Sequence, residues 1–315
     1  IPKPNGGTRM LGIPTLLDRT IQQAIVMTIG GDFEEQFSNK SYGFREGRNC
    51  QQAVLKAQEY VESGKCWVVE MDLSKFFDRV NHDILMDRVS RVITDKPLLK
   101  LIRRYLNAGI MEDGLVSPRI QGVPQGSPLS PLLSNVMLTE LDWEIESRGL
   151  SHVRYADDCN IYVKSEKAAQ RVLNSITQYV EGELKLRVNR DKSGTFRPKD
   201  STFLGYTFSK ADNKRIVVAE KSVKRLWTKL HKMFNSARGT SLKKTIERIT
   251  PVLRGWRNYY RLDTRKKYWS EMDERIRHHL RKLIWIAWKR PKTRERNLIK
   301  LGLKKKKKKK KKKTK

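Results

Sequence analysis

The chain has 315 residues, 67 of them Lys or Arg against 34 Asp or Glu, for a formal net charge of +33. That length supports a sizeable core in one or two domains; no apolar run approaches the ~20 residues that would span a bilayer, no secretory leader is visible, and Cys50, Cys66 and Cys159 are too few and too scattered for a disulfide framework or paired zinc-ligand spacing. A soluble, cytoplasmic, non-membrane protein is therefore expected, and since the eleven lysines at 304–313 and 315 leave +22 on residues 1–303, its body should seek a polyanion through phosphate contacts and counterion release.

Residues 18–37 carry Ile21, Ala24, Ile25, Thr28 and Ile29 at helical spacing. The stretch Cys66-Trp67-Val68-Val69-Glu70-Met71-Asp72 reads as an apolar strand that ends on an acid, with Phe76 and Phe77 just beyond. In Gln121-Gly122-Val123-Pro124-Gln125-Gly126-Ser127-Pro128-Leu129-Ser130-Pro131 the glycines permit positive φ and close approach of another backbone. Ser130 then reads as an N-cap with Pro131 in first position, opening an apolar run through Leu132, Leu133, Val136, Met137 and Leu141.

Next comes Tyr155-Ala156-Asp157-Asp158 between two strand-like segments, His152–Tyr155 and Cys159–Val163. Neighbouring side chains on a straight strand face opposite ways, so a tight turn is needed if both acids are to serve one site. Carboxylate oxygens suit Mg²⁺, and two such ions about 4 Å apart can activate a hydroxyl and stabilise a leaving phosphate oxygen. The tetrapeptide alone is a weak signal, equally at home on a solvated hairpin tip; an acid elsewhere that could complete the cluster, Asp72, strengthens it.

Composition shifts after residue 210. Residues 211–303 hold 27 Lys or Arg against 8 Asp or Glu, with helical stripes at Val223, Leu226, Leu230 and Phe234, and at Trp269, Met272, Ile276, Leu280, Leu283 and Ala287. Between them, Thr250 and Pro251 read as the N-cap and first position of a helix carrying Leu253, Trp256 and Tyr260. Three or four packed helices are expected, with His278 and His279 at their surface. Ten consecutive lysines repel one another and bury nothing, so 304–315 are expected to be disordered.

The order of acid strand, Gln-Gly loop with helix, and aromatic-Ala-Asp-Asp hairpin resembles the palm of reverse transcriptases. The segments Ile1-Pro2-Lys3-Pro4-Asn5-Gly6-Gly7-Thr8-Arg9, Ser41-Tyr42-Gly43-Phe44-Arg45, Pro124–Pro131 and Phe203-Leu204-Gly205-Tyr206 are similar to those of group II intron-encoded reverse transcriptases, the intron maturases, and the likeness runs to about Gly302. It implies an α+β right-hand polymerase: fingers over 1–65, lacking an N-terminal extension, a palm with an antiparallel sheet backed by helices over 66–209, and an all-helical thumb or maturase domain over 210–303 that stops short of the family's usual C-terminus. No endonuclease domain is expected after it, which would leave DNA cutting to the intron RNA.

The resemblance further implies an RNA-directed DNA polymerase in which Asp72, Asp157 and Asp158 hold two Mg²⁺ ions, with Mn²⁺ as a substitute. Lys3 and Arg9 would hold the triphosphate of a deoxynucleotide, Phe77 would lie beneath its sugar and reject a 2′-hydroxyl, Gln125 and Gly126 would contact the nascent base pair, and Lys192 would stand near the leaving pyrophosphate. Arg257, in Gly255-Trp256-Arg257-Asn258-Tyr259-Tyr260, with Lys282, Lys289 and Arg290, would grip nucleic acid: an intron RNA template with a DNA or RNA primer. A single chain and a dimer are both compatible with the sequence. Three alternatives stand beside this reading: an RNA-dependent RNA polymerase, against which Phe77 speaks; a maturase-only RNA-binding splicing factor, against which Asp72 and Asp157 speak; and a reverse transcriptase adopted for defence or repair.

Overall fold

The computed structural model describes residues 11–303 apart from 113, 114, 118, 213 and 238, so Lys3, Arg9 and the lysine tail lie outside the described residues. The chain divides into two compact units, Ile1–Ile216 and Val217–Lys315.

In the first unit the helices are α1 (Leu16–Glu34), α2 (Cys50–Glu62), α3 (Phe76–Arg79), α4 (His82–Val92), α5 (Lys96–Asn107), α6 (Ser130–Ser147) and α7 (Glu166–Gly182). Its strands are β1 (Trp67–Met71), β2 (Ile110–Glu112), β3 (Leu115–Ser117), β4 (Ser151–Tyr155), β5 (Asp158–Val163), β6 (Gly194–Phe196) and β7 (Tyr206–Phe208), and β8 (Ile216–Val218) lies at the division. Local chemistry starts many of these helices. Asn49 and Gln52 form a capping box at α2, while Asn81, Asp95 and Ser165 accept from backbone N–H groups at the starts of α4, α5 and α7.

Four strands form an antiparallel sheet in the order β4-β5-β1-β6. Because β4 and β5 meet through a two-residue turn, Tyr155 pairs with Asp158, and because β5 lies against β1, Met71 pairs with Cys159. One face of the sheet joins a core in which Val69, Met71, Cys159 and Ile161 pack with Leu133, Met137 and Leu141 of α6 and with Ile176 and Val180 of α7. The sheet is thus backed by helices, as expected.

Two local expectations are corrected here. On α1 the buried stripe is Gln22, Ile25, Ile29 and Phe33, whereas Ala24 and Thr28 are exposed; the small side chains offer less apolar area than the Ile25–Ile29–Phe33 line, which therefore sets the helix's orientation. Ser130 does not cap α6, whose capping position is Leu129 without a side-chain bond; the Ser130 hydroxyl instead donates to the Pro124 carbonyl at 2.5 Å. No helix among the described residues is long and apolar enough to cross a membrane.

The second unit contains α8 (Glu220–Ser236), α9 (Leu242–Tyr259), α10 (Lys266–Ala287) and α11 (Pro291–Lys300). Leu226, Trp227, Leu230 and Phe234 of α8 pack with Ile249 of α9 and Met272 and Ile276 of α10. Buried Asp263 organises the turn before α10, accepting from the Val218 N–H at 3.0 Å and from Arg265 Nη2 at 2.6 Å. Helix α9 corrects the sequence reading: it begins after Ser241, whose side chain accepts from Lys244 N–H, and runs through Pro251. Thr250 donates its hydroxyl back to Ile246 O at 2.8 Å rather than capping, and burial of Thr245 and Ile249 in the turns before Pro251 holds the helix across the hydrogen bond that proline removes. Ala287 is exposed, outside the buried stripe of α10. His279 is half-buried, stacking on Phe234 at 4.9 Å between ring centroids, while His278 is exposed.

Candidate active site

Strand register brings the predicted acids together along the chain's backbone. Cross-strand partners share a face and residues two apart on one strand do too; with Glu70 opposite Asn160 and Met71 opposite Cys159, extension of β1 by one residue sets Asp72 beside Asp158. Asp157 occupies the adjoining turn, after Ala156 at φ 56°. The Asp158 carboxyl is raised to about 6 by the crowding of protein atoms around it, then by the charges of Asp157, Asp72 and Glu70, with Lys192 opposing. The residue as a whole remains exposed to water, so the like-charge contribution is the more durable part of that shift.

The side chains have not closed into a cage. Among the described residues no three Asp, Glu, His or Cys side chains stand close enough to hold an ion between them. Asp72 is turned to the chain that follows α7: Asn189 Nδ2 donates to Asp72 Oδ2 at 3.0 Å, and Lys192 Nζ lies 3.4 Å from the same oxygen. The backbone of Asp72 is fixed on both sides, its N–H donating to Ser193 Oγ at 3.0 Å and its carbonyl accepting from Asn189 N–H at 2.8 Å. Glu70 is tied away, accepting from Ser201 Oγ at 2.5 Å and Thr202 N–H at 2.9 Å. In donor chemistry the site fits a divalent ion: hard oxygen ligands, and an excess of negative charge that a single exposed lysine offsets.

The Gln-Gly loop is pinned to the same region. Gly122 N–H donates to Val80 O at 2.7 Å and Val123 N–H to Phe77 O at 2.6 Å. Gly122, at φ 90°, has no room for a side chain, since a Cβ would meet Phe77 O at 2.8 Å. Buried His82 adds a contact from Nε2 to Gly122 O at 2.7 Å. Phe77 is half-buried, edge-on to fully packed Phe76 at 5.1 Å. Farther along, Gln125 O accepts from Gly12 N–H at 2.9 Å, and Gly126, at φ 106°, faces Gly12 O.

In the second unit Arg257, Lys282, Lys289 and Arg290 are all exposed. The Arg257 guanidinium lies 4.2 Å over the Trp269 ring, a cation–π contact. Lys282 is on α10, and Lys289 and Arg290 lie in the link to α11.

Sequence reasoning missed several residues around the acids. Gly43 sat inside a segment already singled out, and Asn189 and Ser193 lie within three residues of Lys192, all without a role. Asn135, Asp142 and Arg154 carried a usable signal: polar side chains within apolar runs must find partners when buried.

Residues 1–208 match the family model for reverse transcriptase (RNA-dependent DNA polymerase), and residues 223–302 match the maturase-specific domain of group II introns. The chain belongs to the reverse transcriptase family, a family that uses divalent metal ions, and its α+β fold with a helical C-terminal region is of that type. Among curated proteins it is 36% identical over 245 residues to Protein YkfC of Escherichia coli, covering 65% of this chain and 64% of that protein. It is 39% identical over 134 residues to the group II intron-encoded protein LtrA of Lactococcus lactis, covering 42% and 22%. With the putative COX1/OXI3 intron 1 protein of Saccharomyces cerevisiae it shares 32% over 211 residues, covering 64% and 24%. The chain therefore spans less than two thirds of the length of each.

Proposed function

We propose that this chain is an RNA-directed DNA polymerase that copies intron RNA into cDNA, and that its helical second unit binds that RNA to assist splicing and mobility. The observation that carries the reading is the β1–β5 register, which sets Asp72 beside Asp158 next to the Asp157 turn. Fingers over 1–65, palm over 66–209 and thumb over 210–303 are the proposed division, with RNA template, DNA or RNA primer and deoxynucleoside triphosphates as partners.

In the reaction a primer 3′-oxygen forms a bond to the α-phosphorus of the incoming nucleotide, the bond from that phosphorus to the β-phosphate bridging oxygen breaks, and pyrophosphate leaves. Asp72, Asp157 and Asp158 would hold two Mg²⁺ ions, which when bound supply a lowered hydroxyl pKa and stabilisation of transition-state charge. Ser193 Oγ and the Asn189 N–H fix the Asp72 backbone and Asn189 Nδ2 orients its carboxylate, which would turn from Lys192 toward the hairpin acids when an ion binds. Lys192, released from that contact, would neutralise a phosphate. Phe77, backed by Phe76, lines the sugar position and excludes a 2′-hydroxyl. Lys3 and Arg9 would hold the triphosphate, and Gln125 and Gly126 the nascent pair. Support for the RNA role of the second unit comes from exposed Arg257, Lys282, Lys289 and Arg290 within the maturase-specific match.

Primer extension on an RNA template with deoxynucleotides, ribonucleotides and varied metal tests this directly. Synthesis of DNA that needs Mg²⁺ and disappears in a folded Asp157→Asn variant is the expected result. Ribonucleotide incorporation at equal rate would assign an RNA polymerase, and intron RNA binding without any synthesis would assign the maturase-only reading.

A further inference from the structure

Behind the Ala156-Asp157 turn lies a polar assembly from which water is excluded. Arg154, Asp142 and Asn135 are each 0% exposed. Arg154 Nε and Nη2 donate to Asp142 Oδ1 and Oδ2 at 2.8 and 2.6 Å, the paired fork geometry that guanidinium and carboxylate favour. Its Nη1 donates to Asn135 Oδ1 at 3.0 Å and to the Ala156 carbonyl, also at 3.0 Å. Asn135 in turn donates from Nδ2 to the Gly43 carbonyl at 2.9 Å. The backbone of Arg154 is clasped as well, its carbonyl accepting from Tyr42 N–H and its N–H donating to Lys40 O, both at 2.9 Å. Burial would raise the Asp142 carboxyl, but the charge and hydrogen bonds of Arg154, helped by His152, hold it below its ordinary value. The pair is charged in the folded protein.

Stability does not explain such a device. A buried ion pair costs desolvation that its attraction barely repays, and apolar replacements are often as stable. What an apolar core could not do is direct a hydrogen bond at a chosen carbonyl. One guanidinium donor goes to Ala156, a residue held at φ 56°, where a side chain is rarely tolerated, immediately before Asp157. Such local strain persists only where surrounding structure over-determines it, and here the over-determination comes from three separate segments: 40–43, α6 and β4.

We infer that Arg154 is a positioning residue: locked by Asp142 and Asn135, it fixes the Ala156 carbonyl and thereby the direction in which the Asp157 carboxylate leaves the turn. The inference rests on the proposed role of Asp157 in holding metal.

Two variants test it in the whole 315-residue chain. Arg154→Lys keeps the charge but loses the fork; Asn135→Ala removes the neutral link and leaves no unpaired charge. Each is read by Mn²⁺ titration, with free ion followed by electron paramagnetic resonance and the sites lost in Asp157→Asn defining those counted, and by kcat, the KM for deoxynucleotide, and thermal unfolding. Misplacing a reacting group by about 1 Å costs ~10²-fold, so Arg154→Lys should weaken Mn²⁺ binding at least tenfold and lower kcat about 10- to 100-fold while KM changes less than about threefold. Asn135→Ala should move the same quantities in the same direction by a smaller factor. If folded Arg154→Lys, or Asn135→Ala where the lysine variant does not fold, binds Mn²⁺ within twofold of wild type with only its melting temperature lowered, the residues are structural and the inference is overturned. Absence of Asp157-dependent Mn²⁺ binding in the wild type would overturn this inference together with the proposed function.

Discussion

Gly43→Ala puts the packing behind the Ala156-Asp157 turn to a quantitative test. A Cβ added at residue 43 would stand 2.2 Å from Ala156 N and 3.0 Å from both Ala156 Cα and Tyr155 C. Every one of those atoms is backbone, so no side chain can swing aside. Gly43 has no positive φ, so the penalty argued here is the steric one. Relieving the shortest contact to an ordinary ~3.4 Å requires one segment to retreat by about 1.2 Å, in a region packed at interior density. Overpacking of this kind costs about 1–3 kcal/mol, which for a unit of this size lowers the melting temperature by roughly 2–12 °C. The retreating segment is the turn itself, and a misplacement near 1 Å costs ~10²-fold, or about 2.7 kcal/mol of transition-state stabilisation. Single-turnover primer extension at saturating metal and nucleotide, paired with thermal unfolding, reads both effects. A Gly43→Ala protein that extends primers within twofold of the wild-type rate and melts at the wild-type temperature would refute the claim that segment 40–43 sets the position of the Asp157 turn.

Phe77→Ala should raise ribonucleotide incorporation relative to deoxynucleotide by at least tenfold, because Phe76 and not Phe77 fills the core and the loss opens space beside the sugar; unchanged discrimination in competitive incorporation assays would remove Phe77 from that role. Asn189→Ala should weaken metal binding about three- to tenfold while altering stability by only about 1 kcal/mol, the usual worth of one hydrogen bond, and a metal affinity equal to wild type in calorimetric titration would count against it. Acid should weaken metal binding through Asp158, whose carboxyl titrates at about 6: below that pH it holds a proton and loses its charge, so the Mg²⁺ needed for half-maximal rate should climb as pH falls from 7 to 5, up to ~tenfold per unit for a single competing proton. For an acid whose folded value lies above the unfolded one, protonation favours the folded ion-free protein, so this loss should appear in metal titrations without acid unfolding from this group. A flat metal requirement between pH 5 and 8 would contradict it.

The candidate groups, Asp72, the Gln125-Gly126 loop and Asp157-Asp158, were legible in the sequence, since they are picked out by residue type and local turn geometry, both of which are written along the chain. Strand period and the two-residue turn sufficed to put Asp157 and Asp158 at a hairpin tip. Helical stripes such as Leu226, Leu230 and Phe234 were readable for the same reason: their signal repeats within a few residues. Pro251 misled because a local breaker competes with burial of Thr245 and Ile249, and that burial exists only once α8 and α10 are in place. Nor could order along the chain say what stands behind the site. Arg154 meets Asp142 and Asn135 across 12 and 19 residues, and Asn135 meets Gly43 across 92. Those contacts follow from sheet register and helix docking, where a charged side chain is tolerated in the interior solely by finding its partners in space. The sequence by itself thus determined which groups can do chemistry; the direction in which each of them points was decided by tertiary packing, because close packing and hydrogen-bond satisfaction are properties of neighbours that the chain brings together only on folding.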